Sequence, residues 1–491
     1  MQTYLVTYCL ALLISTGLTP FVIQWADKNN FVDLPDARKI HQKPIARLGG
    51  IAIFVATMLA IIPLLCLSNN IGQAFRGIWV KVTCMLVASS LIFGVGLLDD
   101  LKNIRTRTKL IVQIVAGLLV CLAGIHIDKL AIKDFVVLDL GILSIPFTLC
   151  WIIGITNAVN LIDGLDGLAG GICAIACGAM ACLSMIQGNI ILATMMLAMF
   201  GALTGFLLFN FHPAKIFMGD GGSLFLGFTI ATASVLTMSK SEALVGFGLP
   251  VLVLGIPIFD TLLSILRRYL SRRGIMSPDR GHFHHLLLDK GFKQQHVAMI
   301  AYLITLVASG IGFLLLVTSK GTSLMVFLVG LTTLLVIFKV VGSVQIGQIL
   351  SDIRLRSSIA HAQRLERKKY EKSHLEFRTV ETFEQWWECM CKAAKALNFA
   401  RVSMELASHD GPGEIRQWEN AADVTNDENM ENILQMRVPI KDLNNGYVHK
   451  IEIQVRTNGS LESAGRRVTL FARLTDEHRL DSRIKEREHV N

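Results

Sequence analysis

The chain has 491 residues, of which 52% are hydrophobic and 17% charged, and a net charge of +9. A composition this apolar excludes an ordinary soluble enzyme, and the positive charge suggests nucleic acid or a membrane surface as a partner. The sequence lacks the basic and aromatic interleaving of a nucleic-acid groove, so we expect membrane lipids as partners and no nucleic acid. Because the ten cysteines include no C-x-x-C pair, we do not expect a zinc ribbon.

The first 343 residues contain the apolar runs of an all-α polytopic membrane domain. A helix needs about 20 apolar residues to cross the hydrocarbon core. The eleven predicted transmembrane helices lie at residues 3–24, 49–68, 78–98, 108–125, 143–160, 168–187, 189–209, 222–240, 243–264, 297–317 and 322–342. Only Gln187-Gly188-Asn189 separates the sixth from the seventh, so ten or twelve helices would also fit this pattern.

Basic residues in the short loops predict the orientation of these helices. With the N-terminus outside, the inner loops hold most of the loop Lys and Arg, as the positive-inside rule requires. All polar clusters then lie on the cytoplasmic side, where we expect them to share one face. These clusters are residues 33–50, 97–109, 160–167, 209–223 and 277–288.

Three carboxylates at helix ends predict a metal site. Asp99 and Asp100 end the third helix, where adjacent carboxylates repel each other and resist burial. Asp220 lies among three glycines at the start of the eighth helix, where unpaired N–H groups attract an anion. Mg²⁺ prefers a few carboxylates together with phosphate oxygens. We therefore predict a Mg²⁺ site at Asp99, Asp100 and Asp220, with Mn²⁺ as an alternative. A solvent-facing Asp pair and a simple connecting turn are the other interpretations.

Two further polar patterns accompany this site. Asn160, Asp163 and Asp166 are spaced three residues apart, which would place them on roughly one face of a helix. A run of three histidines within "GHFHH" could bind a transition metal or lie on the surface, but its Arg-rich loop favours phosphate binding. Metal, anion and histidine sites on one face are the components of phosphoryl transfer.

Four motifs in this order resemble the polyprenyl-phosphate N-acetylhexosamine-1-phosphate transferases, which are family 4 glycosyltransferases with MraY and WecA/TagO-like branches. They are "LLDDLKN", "NAVNLIDGLDGLAGG", "NFHPAKIFMGDGGS" and "RGHFHH", and the resemblance covers roughly residues 30–290. It implies that a polyprenyl phosphate attacks the β-phosphorus of a UDP-sugar and that UMP leaves. It also implies the inner membrane of a bacterium, a role in cell-envelope polysaccharide synthesis and a homodimer.

The resemblance assigns a role to each matching residue. Catalytic roles fall to Asp99, Asp100, Asp163 and His284, and one aspartate of the pair would act as a base toward the lipid phosphate. Asp220 matches the aspartate that binds Mg²⁺. The residue that matches a lipid-phosphate position is Lys109. Those that match nucleotide-sugar positions are Asn160, Asp163, Asp166, Asn210, Phe217, His282, His284, His285 and, more loosely, Lys43.

Details of these motifs favour one branch. Arg47 before the glycine pair and the H-F-H-H pattern resemble the WecA/TagO-like enzymes, which favours UDP-GlcNAc over UDP-MurNAc-pentapeptide as the donor. Direct attack is favoured over a two-step path through an Asp nucleophile. A transporter for a lipid phosphate or sugar is the alternative from another class, but it would place ionisable residues nearer the middle of its helices.

The remaining residues have an ordinary polar composition. We predict a basic helical linker at 344–375 and a small cytoplasmic α+β domain at 376–491. This domain is weakly similar to GAF or PAS-type sensors, and we expect it to regulate the enzyme or bind an unknown partner or ligand. The predicted elements are a helix at 381–399, a strand at 400–406, a hairpin at 433–455 turning at Asn445-Gly446, and a helix at 465–480.

Overall fold

The computed structural model describes residues 2–33, 44–66, 70–132, 136–240, 243–270, 281–318, 320–342, 346–405, 414–420, 433–441, 448–457 and 460–478. The chain forms two compact units, Met1–Ile346 and Gly347–Asn491. The helices of the first unit are α1 (Gln2–Lys28), α2 (Gly50–Ile61), α3 (Asn70–Gly77), α4 (Trp79–Lys102), α5 (Thr106–Leu122), α6 (Ser144–Ile162), α7 (Leu168–Ile186), α8 (Ile190–Asn210), α9 (Gly219–Lys240), α10 (Ala243–Val253), α11 (Gly255–Leu270), α12 (Phe283–Asp289), α13 (Gln294–Val317) and α14 (Lys320–Val341). Two short antiparallel pairs complete it, β1 (Val32–Asp33) with β2 (Ile45–Ala46) and β3 (Lys129–Ile132) with β4 (Val136–Asp139).

Among the described residues, eight helices are long and apolar enough to cross a membrane, so the chain is a membrane-bound protein. All eleven predicted segments contain helix, but the count of eleven spans is not confirmed. The helix α2 has 12 residues and α5 has 17, which is short for a full crossing. The predicted span at 243–264 is split into α10 and α11, and these bend by 73°.

The split has a local cause in the sequence. Gly255 begins α11, and Pro257 follows in its first turn, where it has no N–H to donate to the preceding turn. A sharp bend at such a position is the usual consequence of this pair of residues. The bend turns α11 away from the line of α10 and brings Asp260 onto a buried face.

The helix α9 lies at the centre of the first unit, packed against α2, α4, α6 and α10. Its side chains are mostly small, and helices approach closely where such residues face each other. A Cβ on Gly227 would lie 2.8 Å from the backbone of Thr156, and one on Gly96 would lie 2.6 Å from the carbonyl oxygen of Asp220. The Gly96 approach places the start of α9, which carries Asp220, against α4, and the Gly227 approach places α9 against α6.

The second unit contains α15 (Ile346–Phe377), α16 (Phe383–Ala396), α17 (Leu461–Glu477) and a four-stranded antiparallel sheet. The strands are β5 (Phe399–Glu405), β6 (Ile415–Glu419), β7 (Ile433–Lys441) and β8 (Val448–Arg456), in the order β6-β5-β8-β7. The predicted strand, both helices and the hairpin are present, whereas β6 was not predicted. The hairpin pairs Lys441 with Val448, and its predicted Asn-Gly turn lies outside the described residues.

The long helix α15 packs into this second unit. Glu366 accepts a hydrogen bond from Ser463 at 2.9 Å, and Tyr370 donates one to Glu477 at 2.9 Å. Phe377 is buried in the core that also contains Trp386. The part of α15 from Glu366 onward therefore belongs structurally to the α+β unit.

Candidate active site

A cavity of about 770 Å³ lies where the ends of several helices of the first unit meet. It is lined by Asp33, Pro44, Ile45, Arg47, Asn160, Asp163, Gly164, Leu165, Asp166, Asn210, His212, Pro213, Ala214, Lys215, Phe217, Gly219, Asp220, His285 and Gln294. Four of the five predicted polar segments line it, and the fifth, 97–109, contacts its wall through Asp100 and Lys109. The predicted convergence of these distant segments is confirmed.

One ammonium group joins two of the predicted metal ligands. Lys109 Nζ lies 2.8 Å from Asp99 Oδ2 and 2.8 Å from Asp220 Oδ2. The turn after α4 makes this contact possible, because Asn103 adopts the left-handed conformation and α5 then starts at Thr106. The first turn of α5 thus returns Lys109 to the carboxylates.

Asp100, the neighbour of Asp99, has a different environment. Its carboxylate accepts hydrogen bonds from Arg47 Nε at 3.1 Å, from the Asp220 N–H at 2.9 Å and from the Gly221 N–H at 2.9 Å. The Asp100 side chain is 1% exposed. Both carboxylate oxygens of Asp100 therefore accept hydrogen bonds, whereas Asp99 and Asp220 share the Lys109 ammonium. Of the three predicted metal carboxylates, Asp99 and Asp220 contact one cationic group, and the metal-ligand role of Asp100 stays a prediction.

The loop that carries Arg47 is held by backbone pairing to the segment before α9. The Phe217 N–H donates to Ala46 O at 2.7 Å, and the Gly49 N–H donates to Phe217 O at 2.9 Å. A Cβ on Gly50 would lie 2.3 Å from the Gly222 nitrogen, so the approach requires glycine there. Phe217 is thereby placed on the cavity wall together with Arg47.

The expectation that Asn160, Asp163 and Asp166 share one helical face is wrong, because α6 ends at Ile162 and a turn follows. All three nevertheless line the cavity. Asn160 donates to Ser223 Oγ at 2.9 Å, which ties α6 to α9. Asp166 accepts hydrogen bonds from His212 Nδ1 at 2.8 Å and from the Ala214 N–H at 3.1 Å.

Asp163 lies in a strongly acidic setting. Burial, together with the nearby charges of Asp220 and Asp100, raises the pKa of its carboxyl to about 8. Its side chain still reaches the cavity surface. A cation bound beside Asp220 would favour the ionised form of Asp163.

The three histidines divide into one that faces the cavity and two that do not. His285 lines the cavity, whereas His282 and His284 are 5% and 2% exposed. Burial lowers the pKa of His284 to about 3, so this imidazole stays neutral at working pH. A neutral imidazole can donate a hydrogen bond to phosphate, and the predicted role of His284 at the sugar diphosphate stays a prediction. His284 Nδ1 has no hydrogen-bond partner among the described residues, and its other nitrogen packs against Gly164.

Asn210 and Lys43 are the other two residues predicted at nucleotide-sugar positions. Asn210 is buried at the cavity wall and donates to Ile216 O at 2.8 Å, so its amide helps to shape the loop before Phe217. Lys43 lies outside the described residues.

Three contributors were not predicted as site residues. Arg47 was noticed only as a branch marker, although a basic residue beside a glycine pair is a signal for anion binding. His212 pairs with Asp166 and lines the cavity. Asp260 binds His282, and its signal in the sequence is a single carboxylate inside an apolar segment.

Asp99 and Asp220 are suited to hold a divalent cation through their carboxylates. No group of three His, Cys, Asp or Glu side chains is arranged around one point in the described part of the chain. Asp99 and Asp220, however, already converge on one positive charge, the Lys109 ammonium. Two hard oxygen ligands with room left for phosphate oxygens and water are the usual environment of Mg²⁺.

Comparison with known proteins decides the family. Residues 82–238 match the model of glycosyl transferase family 4. Over 340 residues, 69% of this chain and 92% of the relative, the sequence is 35% identical to the probable undecaprenyl-phosphate N-acetylglucosaminyl 1-phosphate transferase of Bacillus subtilis (strain 168). The chain belongs to glycosyl transferase family 4. The family resemblance of its four motifs is thereby confirmed.

Other family 4 relatives carry two kinds of name. The decaprenyl-phosphate N-acetylglucosaminephosphotransferase of Mycobacterium leprae (strain TN) is 33% identical over 318 residues, 60% of this chain and 79% of the relative. The phospho-N-acetylmuramoyl-pentapeptide-transferase of Bacillus mycoides (strain KBAB4) is 35% identical over 285 residues, 54% of this chain and 83% of the relative. This family 4 member thus resembles the first kind over the longer stretch.

Proposed function

We propose that this protein transfers N-acetylglucosamine 1-phosphate from UDP-N-acetylglucosamine to a polyprenyl phosphate. An oxygen of the lipid phosphate forms a bond to the β-phosphorus of the donor. The bond from that phosphorus to the oxygen bridging the α-phosphate breaks, and UMP leaves with the electron pair. The product is a lipid-pyrophosphate-linked sugar, from which a cell-envelope polysaccharide would be built.

The observation that carries this proposal is the Lys109 bridge at the cavity wall. A cationic group between Asp99 and Asp220 lies next to a cavity large enough for a nucleotide sugar. Similarity to relatives named for polyprenyl-phosphate acceptors then supports a lipid phosphate at this position.

We assign the acceptor end of the site to Lys109 and Arg47. The Lys109 ammonium would bind the lipid phosphate, and Asp99 would orient that ammonium through its Oδ2. Arg47 lines the cavity and is held by Asp100, so its remaining N–H groups can face a phosphate of the donor. Asp220 and Asp99 would hold Mg²⁺, or Mn²⁺ in its place, which when bound neutralises charge on the diphosphate.

A direct transfer suits this arrangement better than a covalent intermediate. Both oxygens of Asp100 accept hydrogen bonds from backbone or Arg47 donors, and its side chain is almost fully buried. A carboxylate in that position orients Arg47 and caps α9 instead of attacking phosphorus. The reaction then depends on in-line positioning of the two substrates and on neutralisation of charge.

The nucleotide end of the site is assigned to the part of the cavity wall that holds Phe217, Asp166 and His212. Phe217 offers an aromatic face for the base, and Asp166 with His212 offers a polar edge. His285 and Gln294 line the wall toward α12 and α13, where the sugar diphosphate would extend.

We also propose the cellular arrangement. The positive inner loops favour a bacterial inner membrane with the N-terminus outside and both the active site and the α+β unit in the cytoplasm. We expect a homodimer, and we expect the α+β unit to have a regulatory role toward a partner or ligand.

The test uses the purified full chain in lipid nanodiscs with undecaprenyl phosphate and Mg²⁺. UDP-GlcNAc, UDP-GalNAc and UDP-MurNAc-pentapeptide are supplied separately, and UMP release is measured with the lipid product. We expect UMP release with UDP-GlcNAc that depends on the lipid phosphate and stops with a chelator. Preference for UDP-MurNAc-pentapeptide, or no release with any donor, would reject the proposal.

A further inference from the structure

Asp260 is a carboxylate that the mechanism above does not use. It is the only Asp or Glu between Glu242 and Asp279, and it lies in the apolar helix α11. The residue is 2% exposed. A buried acidic group in a candidate membrane segment is costly and is generally retained for function.

The contacts of Asp260 all lead to the histidine motif. Oδ2 accepts a hydrogen bond from His282 Nδ1 at 2.8 Å, and Oδ1 accepts one from the Phe283 N–H at 2.7 Å. Because an ionised carboxylate can only accept, the proton of a neutral His282 ring must be on Nδ1. Nε2 is then an acceptor. Asp260 therefore sets the tautomer of His282 and also accepts the hydrogen bond of the first N–H group of α12.

A second contact ties the same segment to α11. Arg267, about two turns beyond Asp260, donates from Nη2 to Gly281 O at 2.7 Å. The segment from Gly281 to Phe283 is thus held at three points on one helix. The next residues are His284 and His285, whose ring centroids are 4.3 Å apart, and His285 lines the cavity.

We propose that Asp260 is a positioning residue for the transfer reaction. It acts through His282, by holding the proton on Nδ1 and the start of α12 in place, so that the histidine cluster is oriented toward the sugar diphosphate. Asp260 itself is not among the residues that line the cavity. The inference rests on the proposed function of this site.

Asp260→Asn separates the two roles of the carboxylate. The amide oxygen of Asn can still accept from the Phe283 N–H, so the cap of α12 is kept. Its NH₂ group then faces His282 Nδ1 and can only donate, which forces the ring proton onto Nε2. If Asp260 serves only as a cap of α12, Asp260→Asn should have nearly the wild-type kcat. If it acts through the tautomer of His282, the kcat of this variant should be much lower.

The experiment measures kcat and KM for UDP-GlcNAc with the full chain in nanodiscs. For Asp260→Asn we expect kcat to fall about 10–100-fold while KM changes by less than about threefold. In the His282→Ala background, adding Asp260→Asn should cause no further loss, because the residue through which it acts is absent.

Arg267→Gln is the matched control. It removes the Nη2 hydrogen bond to Gly281 O, a tether of the same segment that does not pass through the His282 ring, so its effect should multiply with that of His282→Ala. Thermal unfolding and elution volume in detergent are followed for every variant to show that each one folds.

A second variant, His282→Asn, tests the same role if Asp260→Asn does not fold. In His282→Asn, the side-chain amide can replace the Nδ1–H donor to Asp260, while the Nε2 position is lost. We expect this variant to fold and to show the same loss of kcat. A His282→Asn enzyme with the wild-type rate would overturn the role.

Two further outcomes distinguish this inference from the proposed function. If the wild type transfers the sugar phosphate but the losses from Asp260→Asn and His282→Ala simply multiply, only the positioning role is rejected. A folded wild type without transferase activity would reject the proposed function and this role with it.

Discussion

The two units of the molecule use charged groups in opposite ways. In the described part of the α+β unit, Lys392–Glu388 and Arg473–Glu477 are exposed ion pairs, each formed four residues apart on one helix. Such pairs contribute little to stability. Its buried Arg467 donates to the backbone carbonyls of Leu397 and Asn398, so it connects α17 to the turn between α16 and β5.

In the membrane unit, charged groups gather at one cavity. Asp99, Asp220 and Lys109 form a partly buried triad, and Asp100 is almost fully enclosed by donors. Arrangements of this kind cost free energy and are retained where chemistry requires them. The contrast indicates that catalysis belongs to the membrane unit, and each prediction below tests it.

The largest effect should come from removing the carboxylates that share Lys109. Asp220→Asn and Asp99→Asn should each lower kcat at least about 1,000-fold, since the charge that holds the ammonium and the metal is lost. UMP release measures this. Glu477→Gln, which removes an exposed carboxylate of the α+β unit, is the control and should leave the rate nearly unchanged. A comparable loss of kcat in Glu477→Gln would contradict the conclusion that catalysis belongs to the membrane unit.

A smaller but still large effect should follow from Gly96→Ala. The new Cβ would lie 2.6 Å from Asp220 O, so α9 and its carboxylate must move. A displacement of this kind should cost about 100-fold in kcat. Gly94→Ala, on the same helix with open space around the position, should behave as wild type. Equal rates for the two variants would show that the approach of α4 to α9 is not needed.

Asp163 gives a prediction in pH. Since burial and two nearby carboxylates raise its pKa to about 8, protons compete with Mg²⁺ below that pH. The Mg²⁺ concentration for half-maximal rate should fall as pH rises from 6.5 to 8, by up to about tenfold per pH unit. A pH-independent Mg²⁺ requirement would show that the ionisation of Asp163 is not coupled to cation binding.

The same shift predicts an effect on stability. The pKa of Asp163 is higher in the folded state than the ordinary value of 3.8, so its contribution becomes less favourable as pH rises from about 4 to about 8. At pH 7.5, Asp163→Asn should therefore raise the apparent melting temperature in detergent by about 2–4 °C, while it lowers activity. A drop in melting temperature would show that the carboxylate stabilises the fold.

The smallest effect should come from removing the α+β unit. A chain that ends after Ile346 keeps every residue that lines the cavity. Its kcat should remain within about threefold of the full chain, because compact units generally fold alone. Loss of all intrinsic activity in a folded truncated protein would place part of the catalytic machinery beyond Ile346.

The sequence predicted the parts of the site that depend on residue type and missed those that depend on packing. Asp99 and Asp220 are predicted as metal ligands and Lys109 as a lipid-phosphate residue, and the three meet in the structure. The different environment of Asp100 could not be predicted, because the donors that surround it come from Arg47 and from the start of α9. Those segments are far from it in the chain.

The helical segments followed from apolar length, whereas the number of spans did not. The twelve residues of α2 and the bend between α10 and α11 depend on local turns and on Pro257. Likewise, the sequence could not show which histidines are buried, because the burial of His282 depends on its hydrogen bond to Asp260. No spacing in the motif shows this.

The central claim is that Asp99, Lys109 and Asp220 form one site at this cavity, where the metal and the phosphates of both substrates meet. An electron cryomicroscopy structure of the full chain in nanodiscs with UDP-GlcNAc and Mg²⁺ tests it most directly. We predict the nucleotide in the cavity beside Phe217, with its diphosphate next to Asp220 and Arg47. A nucleotide bound elsewhere, or Asp99 and Asp220 too far apart to contact one cation, would contradict the claim.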